Sequence, residues 1–188
     1  MKKSSMKLLY KTVLVGVLLV SFYSCSKKVE ARKPITNTTS STIQESIEIN
    51  KKLYAAEEEA IETIIKDLDQ EFQRGSTGFY YMFTKKDSVS GIQPKFGDRV
   101  TFEYDVTSLN GEVIYNKEDL SPITKSLEQE YGVFRGMREA LKLMQTDEEM
   151  IVYFPSYAAY GYYGDQNLIG PNTPFKSRVR LLGINVEN

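Results

Sequence analysis

The residue types present, and those missing, bound the chemistry of this 188-residue chain. It has no histidine and no tryptophan, and its single cysteine is Cys25. That excludes Ser–His and Cys–His nucleophilic systems, histidine-bearing zinc sites, histidine-ligated haem and thiol redox work. No G-x-x-x-x-G-K-[ST] loop or Rossmann fingerprint occurs. Two carboxylate groups, Glu57-Glu58-Glu59 and Glu148-Glu149, have the residue type for acid–base work on glycosides. Sequence neighbours do not converge across a substrate, so both are expected to be solvated surface. Formal charge is −1, and no basic block interleaves with aromatics, which argues against a nucleic-acid partner. The remaining chemistry is aromatic. Tyr157, Tyr160, Tyr162 and Tyr163 crowd a loop that also holds Gly161, Gly164 and Gly170. At about twenty residues such a loop is usually functional, either as a pocket wall or as a protein-binding surface.

The flanking segments must position it. Met137, Ala140, Leu141 and Met144 recur at spacings of three and four, which predicts a short helix from just after Gly136 to about Gln145. At Asp147-Glu148 the period changes. Met150, Val152 and Phe154 alternate with Glu149, Ile151 and Tyr153, as in a strand that Pro155 ends. Residues 176–184 read as a closing strand. Residues 99–108 read as another, with Val100, Phe102, Tyr104 and Val106 on one face, and Asn110-Gly111 turns the chain back into residues 112–116. Pattern alone describes a small α+β domain.

Ahead of it, Ile47, Tyr54, Ile61, Ile64, Ile65, Leu68 and Phe72 form one apolar stripe on a long helix from Ile43 to about Gln73. Its acids, Glu57 to Glu59, Glu62, Asp67 and Asp69, are expected to face water, and Gly75 and Gly78 to stop it. The helix either lies back on the domain or pairs with a second copy through residues 43–74; heptad regularity is poor.

The amino terminus is a separate unit. Lys2, Lys3, Lys7 and Lys11 precede the apolar run Val13 to Val20, and Phe22-Tyr23-Ser24 lead to Cys25. This is the layout of a secretory signal over residues 1–24. A sole cysteine at the cleavage point resembles a bacterial lipobox, with Phe22 where leucine is more usual. Cys25 would then be the lipidated first residue, held stably through more than one acyl chain. The alternative is a plain membrane anchor with an incidental cysteine. Both place the remainder outside the cytoplasm. Residues 25–42, with a basic cluster and then a Thr/Ser run, read as a linker whose cluster either rests on anionic head groups or is a solvated spacer. The domain itself takes residues 78–188, and the helical segment residues 43–75.

VFRGMREALKLM, FPSYAAYGYYGD and LIGPNTPF resemble the carboxy-terminal half of the FK506-binding (FKBP-type) peptidyl-prolyl isomerases, over residues 78–188. The resemblance implies an α+β fold with a highly curved antiparallel sheet wrapped on the short helix. It also implies prolyl isomerisation without cofactor or metal. Tyr160 matches the tyrosine that donates to a bound peptide carbonyl, Tyr104 an aromatic wall, Val133 and Phe134 the apolar pair before the helix, and Ile169 the cover of the pocket. Met137 stands at the floor, where tryptophan is usual. By their own spacing Tyr160, Tyr104 and Met137 read equally as packed or core residues. Departures are Ile114 for an aromatic, Tyr115 for an aspartate, and Thr124 and Ser177 for phenylalanines, with Phe175 a candidate to fill part of the gap. A shallower, more polar pocket is expected. With its leader, the chain is similar to the gliding-motility-associated FKBP-type lipoproteins of Bacteroidetes. That similarity implies exported X–Pro clients, including gliding components, and anchoring at the periplasmic face of the outer membrane rather than the inner. The rival expectation is the same fold used as a partner-binding scaffold without useful turnover.

Overall fold

The computed structural model describes residues 39–89, 91–120, 122–128 and 132–185. The leader, Cys25 and the linker as far as residue 38 lie outside the described residues. Residues 42–188 make up one compact unit.

A 29-residue helix, α1 (Thr39–Asp67), opens the described chain. It stops eight residues short of Gly75, because Asp69 turns the backbone into the left-handed region at φ 51°. Phe72 therefore belongs to the segment after the helix, where its ring meets Tyr153 edge-on at 5.5 Å. The strands are β1 (Gln73–Arg74), β2 (Tyr80–Lys85), β3 (Arg99–Tyr104), β4 (Val106–Ser108), β5 (Val113–Tyr115), β6 (Ile123–Ser126), β7 (Glu149–Phe154) and β8 (Phe175–Asn185). Helix α2 (Lys117–Leu120) lies between β5 and β6, and α3 (Arg135–Leu141) between β6 and β7. Two 3-10 turns, Ser156–Ala158 and Gly161–Tyr163, order part of the aromatic loop.

The sheet runs β1-β2-β7-β8-β3-β6, and the β4–β5 hairpin joins β8 beside it. All recorded pairings are antiparallel. The expected α+β class with a preceding helix is present, but the highly curved wrap is not. The sheet is open and not strongly curled. Its end strands, β1 and β6, are two and four residues long and pair with β2 and β3, not with each other. The second layer is supplied by helices and loops instead of by closure.

Period-2 alternation puts Val100, Phe102, Met150, Val152, Val179 and Leu181 in one buried core with Met137, Ala140, Leu141 and Met144. Each of these side chains larger than alanine contributes about 1.5–3 kcal/mol relative to exposure. Helix α3 starts two residues ahead of Met137 and stops at Leu141. Leu143 and Met144 continue with i→i+3 hydrogen bonds to Ala140 and Leu141, so Met144 still reaches the core. Across the sheet, Ile61 packs with Tyr80 and Tyr153, flanked by Ile64, Ile65 and Ile151. The carboxy-terminal half of α1 thus lies back on the domain. Strand 99–108 is broken at Asp105. Its carbonyl accepts from Ser177 Oγ at 2.7 Å and its carboxylate from the Arg178 N–H at 2.7 Å.

Two carboxylates expected on the surface are buried. Glu57 is 6% exposed and Glu148 1%. Glu148 accepts from the backbone N–H of Asp87 at 3.0 Å and of Gln145 at 2.7 Å. Glu57 accepts from Ser156 N–H and Oγ at 2.8 and 2.7 Å. Fixed donors of this kind make a dry carboxylate tolerable. Glu58, Glu59 and Glu62 remain at least partly exposed, as the stripe implied.

Candidate aromatic binding cleft

Phe134 sits just ahead of α3 with extended backbone, φ −64° and ψ 157°. Its ring meets Phe154 edge-on at 5.0 Å, Tyr160 at 4.9 Å and Phe175 at 5.8 Å. Edge and tilted contacts at these separations suit the ring quadrupoles. The helix can begin this close to the loop because residue 136 is glycine: a Cβ there would lie 2.5 Å from the Ala158 carbonyl oxygen.

Tyr160 lies between the two 3-10 turns. Downstream, the loop folds on Asp165. Asp165 Oδ1 accepts from the N–H groups of Asn167 and Ile169 at 2.9 and 2.8 Å, and Oδ2 from the Tyr115 hydroxyl at 2.5 Å. The same hydroxyl accepts from Asn167 Nδ2 at 2.9 Å and the Leu168 N–H at 3.2 Å. Tyr115 is therefore a latch between the β4–β5 hairpin and the loop. Burial, and then the Asp165 carboxylate, push its pKa up.

Phe102, Tyr104, Gly132, Val133, Phe134, Met137 and Tyr160 line one cleft with about 10 Å³ of free room. That is space for about one water. Met137, fully buried, is its floor, and the Phe102 and Tyr104 rings stack at 5.7 Å. The Tyr104 and Tyr160 side chains interact electrostatically across the cleft. Burial raises both pKa values. Their interaction lowers that of Tyr104 and raises that of Tyr160, so Tyr160 is the one that keeps its proton more tightly. Tyr160, pushed up further by Asp165, stays a protonated donor across the physiological range.

Of the residues singled out from sequence, the cleft brings together Tyr104, Val133, Phe134, Met137 and Tyr160. Ile169 is buried in the adjoining core and Tyr115 forms the latch, both off the cleft lining. Phe175 is fully buried, its ring 6.1 Å from that of Tyr160. Ser177 caps the Asp105 carbonyl, and Thr124 Oγ1 bonds Thr101 Oγ1 across β3 and β6 at 2.8 Å. Phe102, Gly132 and Asp165 went unassigned in the sequence. Alternation with Tyr104 could have placed Phe102 at the site; no local pattern marks Asp165.

A larger depression of about 370 Å³ is lined by Glu103, Asp105, Lys117, Glu149, Arg178 and Arg180 among others. Its charges largely satisfy one another: Lys117 pairs with Glu103 at 2.5 Å, and Arg180 contacts Asp147 at 3.1 Å and Glu103 and Glu149 at 3.8 and 3.7 Å. Volume alone does not make it the better site; the apolar cleft has the convergent hydroxyls.

The model of the FKBP-type peptidyl-prolyl cis-trans isomerase family matches residues 90–182. A probable FKBP-type peptidyl-prolyl cis-trans isomerase, FkpA, of Neisseria meningitidis serogroup B is 34% identical over 110 residues, 58% of this chain and 39% of that protein. FK506-binding protein 1 of Yarrowia lipolytica is 33% identical over 92 residues, 49% of this chain and 85% of that protein. The chain spans about two fifths of the length of three of the curated relatives it matches. The crystal structure of FkpA from Escherichia coli superposes with a TM-score of 0.58 at 23% identity, over 93% of this chain and 82% of that one, a likeness of fold.

Proposed function

We propose, for a chain that belongs to the FKBP-type peptidyl-prolyl cis-trans isomerase family, that the cleft at Tyr104, Phe134 and Tyr160 binds X–Pro segments and speeds their cis–trans interconversion. The X–Pro bond is slow to rotate, over tens of seconds to minutes, because amide resonance is lost at the twisted geometry. A protein accelerates rotation by binding the twisted amide better than either planar form. Val133, Phe134 and Met137 offer an apolar bed for the proline ring. Tyr160, kept protonated, donates to a peptide carbonyl. Each 1.4 kcal/mol of preference for the twisted form is worth about tenfold in rate. In this role Ile169, Tyr115 and Phe175 support the cleft from behind. The observation that carries the reading is Tyr160, which lines the cleft with Tyr104 and whose ring lies 4.9 Å from that of Phe134.

The setting follows from the leader. Cys25 is the lipid-anchoring residue, the chain is held in the bacterial envelope outside the cytoplasm, at the periplasmic face of the outer membrane, and residues 25–42 give it reach. Its clients are proline-containing exported polypeptides, gliding-motility components among them. Exposed Ile43, Ile47 and Ile49 on α1 support pairing with a second copy within residues 43–74.

A second reading, a partner-binding scaffold with little turnover, is favoured by one observation: a cleft with room for about one water does not admit a proline ring unless Phe134 or Tyr160 moves. Isomerisation of short peptides with varied residues before proline, measured on residues 26–188, separates the two. The isomerase reading expects acceleration that falls strongly in Phe134→Ala and modestly in Tyr160→Phe. A folded domain inert on every peptide, and on a protein whose refolding is proline-limited, leaves only the scaffold.

A further inference from the structure

The family model begins at residue 90, yet the aromatic loop is gripped by a side chain 33 residues ahead of it. The loop's first turn, Ser156–Ala158, starts on Glu57 of α1. Both Glu57 oxygens are used, one by the Ser156 N–H and one by its hydroxyl, and Ser156 is fully buried. One helical step on, Glu58 Oε1 accepts from the Tyr157 hydroxyl and from Arg74 Nη2 at 2.7 Å. The Tyr54 ring lies 5.0 Å from that of Tyr157. Residues 54, 57, 58 and 61 lie on one face of α1, spaced by three and four. Ile61 docks on the sheet, while the other three hold the loop.

The grip passes on to the cleft. The Ala159 N–H bonds the Ser156 carbonyl at 3.0 Å, closing the turn, and Tyr160 follows directly. On the other side the turn abuts the start of α3 at Gly136, two residues after Phe134. The Ser156–Ala158 turn is thus wedged between Glu57 and the beginning of α3, and Tyr160 leaves from its exit.

We propose that Glu57 is a positioning residue for the aromatic cleft: by bonding both donors of Ser156 it fixes the turn that places Tyr160 against Phe134. This rests on the isomerase reading for its effect on rate, but not for its effect on geometry. A carboxylate that merely anchored α1 would be replaceable by any substitution that keeps the helix docked. A positioning carboxylate is replaceable only by a side chain that reproduces its two bonds. Glutamine does so, accepting from the Ser156 N–H and donating to its hydroxyl oxygen; leucine does not.

The test uses residues 26–188 carrying Glu57→Leu, Glu57→Gln, Ser156→Ala or, as a control that loosens α1 without touching the loop, Ile61→Val. Amide hydrogen exchange over residues 156–164 and isomerisation of an X–Pro peptide are both read. Glu57→Leu should speed exchange in that segment and lower kcat/KM, each on the order of tenfold, with the loss in kcat rather than KM. Glu57→Gln should restore both to within about threefold of the parent, and Ile61→Val should leave both unchanged. A folded Glu57→Leu protein with parental exchange and parental kcat/KM overturns the proposal. If Glu57→Leu fails to fold, Ser156→Ala decides: faster exchange in 156–164 than in Ile61→Val supports the clasp, and equal rates overturn it. A parent without isomerase activity would sink the proposed function alone, since exchange and the Phe134–Tyr160 ring contact seen by NMR would still settle the clasp.

Discussion

Tyr115→Phe removes one oxygen and with it three hydrogen bonds, to Asp165, Asn167 and Leu168. In a dry site a bond to a charged group is worth about 1.5–3 kcal/mol and each neutral one about 1 kcal/mol. Here Asn167 and Leu168 are exposed and Asp165 half-buried, so water takes over most of what the hydroxyl supplied. A net loss of about 1–2 kcal/mol remains, which is a factor of roughly 5–30 in the closing of residues 164–170. The loss should be local. Ile169 is the one deeply buried residue of this segment, and β7 and β8 hold without it. The Ile169 N–H, which reports the latch through Asp165 Oδ1, should exchange faster by that factor, while amides in β7 keep parental rates. Parental exchange at Ile169 would refute the reasoning and make the Tyr115 hydroxyl a bystander. Uniform acceleration across the sheet would equally refute the claim that the latch is local.

Gly164→Ala should cost more than Gly161→Ala, although both have positive φ. Residue 164 is at φ 65° and ψ −167°, and its added Cβ would lie 2.2 Å from the Ile169 carbonyl oxygen, so a penalty of about 2–3 kcal/mol is expected. Residue 161 opens on free space and should cost only about 1 kcal/mol by denaturant titration. Ile61→Ala, emptying a fully buried position between α1 and the sheet, should lose about 2–4 kcal/mol and free α1 to limited proteolysis before the sheet. Alkali should weaken the fold through Tyr157, whose pKa burial and then Glu58 push up to about 12, against the opposing pull of Arg74. The folded state then holds this proton more tightly than the unfolded chain. The contribution is complete below pH 10 and is lost as pH rises towards 12. Tyr157→Phe should flatten the decline of the melting midpoint across that window.

Local periodicity made much of the fold legible. Met150, Val152 and Phe154 alternate as a strand must when one face is buried, and Asn110-Gly111 marks a true hairpin because Gly111 sits at φ 90°. Helix ends were less legible. Phe134 precedes α3 without a capping side chain, so no polar residue announces its start. Burial of acids was opaque for a physical reason. Glu57 is satisfied by a residue 99 positions away, and Glu148 needs, besides the nearby Gln145 N–H, a donor 61 positions away, which no local window shows. Openness of the sheet was likewise hidden, since it depends on which distant strands end the array. At the site, Tyr104, Phe134 and Tyr160 were singled out by the family resemblance, and the fold brings them to one cleft. Asp165 was not, because its role is created by the hydroxyl of Tyr115, on another element.

Strand β8 pairs with β3, β4 and β7, and every one of those partners precedes it in the chain. A ribosome delivers residues in order, so the middle of the sheet arrives after the strands it must join. Until then β7 and β3 have no neighbour on the side that β8 will occupy, and their unpaired edges face whatever surrounds the nascent chain. Folding of the domain is therefore deferred to the end of its synthesis, and its long-range pairings make that step slow relative to helix formation.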